Sequence, residues 1–158
     1  MASEIWFRDL ESGDYRNNVI DDDLPLELSG PRVLLIEDDP MVIRELRSLI
    51  HKNLKYASVK DFDSSEDALS FLKASYDLPH LIVVDIHLKG NNGLEFSKKL
   101  LHEYEDIPFM FLTGMPQEEF FKMAKNYSAF PPYFEKPLEQ EDFKKLLKNY
   151  FPKTDLRF

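Results

Sequence analysis

One stretch constrains the fold more than any other: His80-Leu81-Ile82-Val83-Val84-Asp85-Ile86-His87-Leu88. Four apolar residues run straight into an aspartate. An unbroken apolar run of this length reads as a strand buried on both faces, the habit of a parallel sheet. A carboxylate at the end of such a strand is costly unless something pairs with it or uses it. Taken alone, Asp85 is either a cap for the following loop or a reactive group. The rest of the chain decides between these.

An alternation of strands and helices surrounds that stretch. Arg32 to Ile36 is an apolar strand, followed by Glu37-Asp38-Asp39-Pro40 and a helix whose Val42, Leu46, Leu49 and Ile50 share one face. Asp39 before Pro40 reads as an N-cap and an N1 proline. A short edge strand is expected over about 57 to 62. Ser64 and Asp67 then resemble a capping box, with Ala68, Leu69 and Leu72 as the buried face of the second helix. After the Asp85 strand comes the loop Lys89-Gly90-Asn91-Asn92-Gly93, and then a helix that stacks Phe96, Leu100 and Tyr104. Pro108 to Thr113 is a fourth strand. Pro116 opens a fourth helix with Phe120, Phe121, Ala124 and Tyr127 as its core residues. Pro132-Tyr133-Phe134 is a short fifth strand ending in Glu135-Lys136-Pro137. Phe143, Leu146, Leu147, Tyr150 and Phe151 mark the last helix.

Five β–α units in a row imply an α/β domain: a doubly wound five-stranded parallel sheet with helices on both faces. The flavodoxin-like order 2-1-3-4-5 is the leading choice. It places a crevice at the C-terminal strand ends, at the switch between strands 1 and 3. Those ends carry Glu37 and Asp38, Asp85, Thr113 and Lys136. Three crowded carboxylates repel one another, and a hard divalent cation such as Mg²⁺ removes that repulsion through oxygen ligands. With a lysine and a hydroxyl beside an aspartate, the set suits a phosphoryl group. The aspartate is then a candidate nucleophile.

The totals agree with a folded domain and narrow the function classes. The chain has 158 residues, 43% of them hydrophobic, enough for one domain and a tail. Its formal net charge of −9 argues against direct nucleic-acid binding. Without cysteine it has no disulfide, thiol catalysis or thiolate metal site. No apolar run is long enough to span a bilayer and no signal peptide is visible, so a cytoplasmic location without membrane contact is expected. Residues 1–30 stand apart as an acidic arm, in which eight acids face two bases. Such a composition buries little and is often disordered. Within it, Ile5-Trp6-Phe7 is either an anchor onto the domain or a docking peptide.

Taken together, these residues resemble the receiver domain of two-component response regulators. The likeness covers residues 31–151, leaving 152–158 as a short tail. It rests on the acidic pair after strand 1, Asp85, Gly93 eight residues later, Thr113-Gly114 and Lys136-Pro137. The resemblance implies that Asp85 is the phosphoacceptor and that Asp38 is a direct metal ligand. Glu37 would reach the metal through water, and the His87 backbone carbonyl would complete the Mg²⁺ set with Asp85. Thr113 would be the switch hydroxyl that follows the phosphoryl group, Lys136 the ion-pair partner of that group, and Tyr133 the aromatic that swings inward on activation. Partners would be a sensor histidine kinase or phosphotransfer protein upstream. Downstream, a protein target would bind the face of the fourth helix, fifth strand and fifth helix; a homodimer is also compatible.

The sequence departs from the family at three places. Lys89 stands where proline is frequent, Phe130-Pro131-Pro132 replaces a Gly-Ala pair, and Asp39 is either helix cap or metal ligand. With about seven residues after the last helix, a stand-alone receiver that is not a dedicated enzyme is expected. Two other functions compete with it. One is a receiver-like binding module that is never phosphorylated. The other is a Mg²⁺-dependent aspartyl phosphatase, disfavoured because its nucleophile should end strand 1 rather than strand 3.

Overall fold

The computed structural model describes residues 30–88, 91–125 and 132–151, leaving aside the side chains of 91–94 and 101. The expectations for the arm, the tail, Tyr127 and Phe130-Pro131 lie outside the described residues. The elements are β1 (Arg32–Ile36), α1 (Pro40–Asn53), β2 (Ser58–Phe62), α2 (Ser65–Ala74) and β3 (Leu81–Val84). They continue with β4 (His87–Leu88), β5 (Asn91–Asn92), α3 (Gly93–Glu103), β6 (Phe109–Thr113), α4 (Gln117–Met123), β7 (Tyr133–Glu135) and α5 (Gln140–Tyr150).

Five strands form one parallel sheet in the order β2-β1-β3-β6-β7. Counting only the strands of this sheet, that is the expected 2-1-3-4-5. The residues after Asp85 differ from expectation. Asn91 and Asn92 are not plain loop but pair antiparallel with Leu88 and His87 in a small hairpin outside the sheet.

Strand residues point alternately to opposite faces, and this divides the core into two halves. Leu34, Ile36, Ile82, Val84, Phe109 and Phe111 face one side. There they meet Ala68, Phe71 and Leu72 of α2, Phe96 and Leu100 of α3, and Phe120 of α4. Val33, Leu35, Leu81, Val83, Met110 and Leu112 face the other, against Leu46, Leu49 and Ile50 of α1 and Phe143, Leu146 and Leu147 of α5. All four residues of β3 are buried, as a central strand covered on both faces must be.

The caps follow local chemistry. The Met41 amide donates to Asp39 Oδ1 at 2.9 Å with Pro40 in the first turn, so Asp39 is a helix cap. Ser64 caps α2 by accepting from the Asp67 amide at 3.2 Å. One core assignment is corrected: Phe121 is 49% exposed. Only one stripe of the seven-residue α4 faces the sheet. Phe120 and Ala124, one turn apart, occupy it, and Phe121 lies about 100° round the helix.

Candidate functional site

The register of the sheet assembles the site. Ile36 pairs with Val84, so the residues that follow, Glu37 and Asp85, leave the sheet side by side. The Asp85 amide donates to the Ile36 carbonyl at 2.9 Å. Val84 pairs with Phe111, and Thr113 with Glu135, which brings Thr113 and Lys136 to the same end of the sheet. The Lys136 amide donates to the Thr113 carbonyl at 2.9 Å.

Lys136 Nζ reaches across two strands. It donates to Asp85 Oδ2 at 3.0 Å and to Glu37 Oε2 at 2.5 Å. Asp85 Oδ1 accepts from the His87 amide at 3.0 Å, so both oxygens of this carboxylate are oriented. Asp85 and Glu37 are buried, and the lysine side chain is 21% exposed. Burial raises the pKa of Glu37 above the ordinary carboxylate value. The Lys136 ammonium and a backbone amide oppose that shift without cancelling it, and Asp85 adds to it. Burial would lower the pKa of Lys136, yet hydrogen bonds to Glu37 and Asp85 outweigh it and raise the value.

One oxygen each from Glu37, Asp38 and Asp85 lies within 4.8 Å of the others. Among the described residues these are the acids that gather in this way, and Asp39 is not one of them. Three carboxylates against one bridging ammonium leave an excess of negative charge in an all-oxygen donor set. That is the chemistry a hard divalent cation requires, so the residues fit Mg²⁺. The His87 side chain is exposed, and its described contact with Asp85 is through the backbone.

Thr113 is wholly buried, and its Oγ1 accepts from the Met115 amide at 3.3 Å. The Tyr133 hydroxyl donates to the Met115 carbonyl. The Tyr133 ring stacks on Phe120 with centroids 4.5 Å apart and planes at 22°. Tyr133 therefore already lies against the core. Met115, which joins Thr113 to Tyr133, was not among the residues singled out from the sequence. It contributes backbone atoms, and its only sequence signal is its place two residues after Thr113.

Residues 33–148 match the family model described as the response regulator receiver domain. The C4-dicarboxylate transport transcriptional regulatory protein DctD of Rhizobium meliloti is 34% identical over 88 residues, 54% of this chain and 18% of that protein. The probable C4-dicarboxylate response regulator DctR of Halalkalibacterium halodurans is 31% identical over 96 residues, 61% of this chain and 41% of that protein. The chain thus spans less than half the length of these curated relatives. Among solved structures, a signal receiver domain of an HD domain-containing protein from Pseudomonas fluorescens superposes with a TM-score of 0.67 at 20% identity. That superposition covers 78% of this chain and 88% of the other. The phosphorylated cyanobacterial phytochrome response regulator RcpA gives 0.68 at 16% identity, covering 82% and 100%. The structural likenesses show the flavodoxin-like fold, and the match over residues 33–148 establishes that the chain belongs to the receiver domain family of two-component response regulators.

Proposed function

We propose that this receiver accepts a phosphoryl group on Asp85, with Mg²⁺, and signals by contact with another protein rather than by catalysing turnover. The observation that carries this reading is the Lys136 ammonium 3.0 Å from Asp85 Oδ2, beside the acid cluster of Glu37, Asp38 and Asp85. Asp38, Asp85 and the His87 carbonyl would hold the metal, with Glu37 as the third acid. When bound, Mg²⁺ supplies charge neutralisation for the phosphoryl oxygens.

The chain's own residues do the rest. The His87 amide and Lys136 hold the Asp85 carboxylate in one orientation. One carboxylate oxygen forms the new P–O bond as the P–N bond of a phosphohistidine breaks, and the electron pair stays on the departing imidazole nitrogen. Lys136 then pairs with the added charge, and the Thr113 hydroxyl turns to donate to a phosphoryl oxygen. The donor would be a sensor histidine kinase or a phosphotransfer protein, and a cytoplasmic location goes with that partnership. No described helix is long and apolar enough to cross a membrane. The output surface would be the face of α4, β7 and α5, where Phe121 is exposed beside the Tyr133–Phe120 stack.

Titrating Mg²⁺ into the protein while following backbone NMR shifts tests the metal assignment. Binding should be weak and should depend on Asp38. An unchanged titration in Asp38→Ala would place the metal elsewhere.

A further inference from the structure

Glu37 is the most buried of the three acids, and both of its oxygens are engaged. Oε1 accepts from two consecutive amides, Asp38 at 3.1 Å and Asp39 at 3.0 Å. Oε2 accepts from Lys136 Nζ at 2.5 Å. Its own amide donates to the Phe62 carbonyl at 3.0 Å, tying the residue to the end of β2. The turn between β1 and α1 is therefore folded around this side chain. Two residues on, Asp39 caps α1 through the Met41 amide. Asp38 is suspended between these two fixed points.

We propose that Glu37 is a positioning residue. It clasps the turn that presents Asp38 and anchors Lys136 beside Asp85. This rests on the reading of Asp38 and Asp85 as the metal and phosphoryl site. A carboxylate oxygen that accepts two charge-assisted amide bonds has its lone pairs committed, and the other oxygen holds an ammonium. What Glu37 gives the site is geometry: where the Asp38 carboxylate stands and where the Lys136 ammonium waits.

Two variants separate geometry from charge. Glu37→Gln and Glu37→Met are both uncharged and close to glutamate in size, so the loss of charge is common to them. Only glutamine keeps an oxygen for the Asp38 and Asp39 amides. Hydrogen exchange of those two amides is measured without metal, and the Mg²⁺ dissociation constant by NMR titration. Glu37→Gln should keep both amides protected, and Glu37→Met should expose them. Glu37→Met should also bind Mg²⁺ about fivefold or more weakly than Glu37→Gln, the size of a lost net hydrogen bond. Equal exchange and equal dissociation constants in the two variants would overturn the proposal, because Glu37 would then act through charge alone. Unequal exchange with equal dissociation constants would overturn the link to Asp38. If Glu37→Met does not fold, Glu37→Ala takes its place in the same comparison. If even the wild type binds no Mg²⁺ at the cluster, the metal reading fails, while the metal-free exchange still decides whether the clasp exists.

Discussion

Tyr133 stacks on Phe120 with ring centroids 4.5 Å apart, and its hydroxyl donates to the Met115 carbonyl. Met115 in turn donates its amide to Thr113 Oγ1. A short chain of contacts thus runs from Thr113, in the proposed phosphoryl site, to α4 and to the exposed ring of Phe121 beside it. Phosphorylation can shift this packing only if it favours one arrangement over another. Drawing the Thr113 hydroxyl toward a phosphoryl oxygen would release the Met115 amide, and that is such a difference.

Tyr133→Phe should therefore lower unfolding free energy by about 1 kcal/mol through the lost hydrogen bond. Tyr133→Ala should lower it by about 2 to 3 kcal/mol more, through the lost packing of the half-buried ring and its stacking on Phe120. Denaturant melts measure both. Phosphorylation-dependent hydrogen exchange in residues 114 to 125 should be large in wild type and small in Thr113→Ala. Equal changes in the two proteins would mean that Thr113 does not couple the site to α4.

Gly30 packs against the turn between α1 and β2. Its amide donates to the Tyr56 carbonyl at 3.0 Å, and a Cβ there would lie 2.3 Å from Tyr56 backbone atoms. Tyr56 itself has a φ of 57°, so the turn has little freedom to move aside. Gly30→Ala should destabilise the domain by about 2 to 3 kcal/mol, the upper part of the range for overpacking, while leaving the cluster of Glu37, Asp38, Asp85 and Lys136 intact. A melt within 0.5 kcal/mol of wild type, about the usual range for surface substitutions, would show that the turn yields.

His80 sets a pH dependence at the opposite end of the sheet from Asp85. Its Nδ1 accepts from the Arg32 amide at 2.9 Å, which requires the unprotonated nitrogen. Though much of the ring is exposed, burial of its inner edge lowers the pKa below 6.5, and the Arg32 charge lowers it further against a smaller opposing pull from Asp77. The unfolded chain then binds the proton more readily than the folded one. The contribution to stability is present above 6.5 and is lost as pH falls through the lowered folded value. Between about pH 7.5 and 5.5, the melt of wild type should fall more than that of His80→Asn, which keeps an acceptor that does not titrate. Parallel pH profiles would remove His80 from the account.

Much of this was legible in the sequence because it is local or periodic. Asp39-Pro40 and Ser64 with Asp67 announce helix starts through side-chain chemistry acting within three residues. The runs Val33–Ile36, Leu81–Val84 and Phe109–Leu112 are apolar on both faces, as strands between two helix layers must be. The residues at their ends follow from strand order alone, which is why Glu37, Asp85, Thr113 and Lys136 meet as expected. What was not legible depends on backbone atoms or on orientation. The Met115 bridge and the Glu37 clasp use main-chain groups that every residue carries. The pairing of His87 with Asn92 is a backbone pairing of two-residue strands, too short to show a periodicity in the sequence. Two adjacent phenylalanines, Phe120 and Phe121, in a short helix leave the choice of inward ring open in the sequence. The sheet settles that choice in favour of Phe120.

The central claim is that Asp85 accepts the phosphoryl group, and intact mass spectrometry after incubation with a small phosphodonor and Mg²⁺ tests it most directly. Wild type should gain the mass of one phosphoryl group. Asp85→Asn, which keeps the shape and the His87 contact but removes the nucleophile, should gain none. A phosphoryl gain that persists in Asp85→Asn under the same conditions would contradict the account.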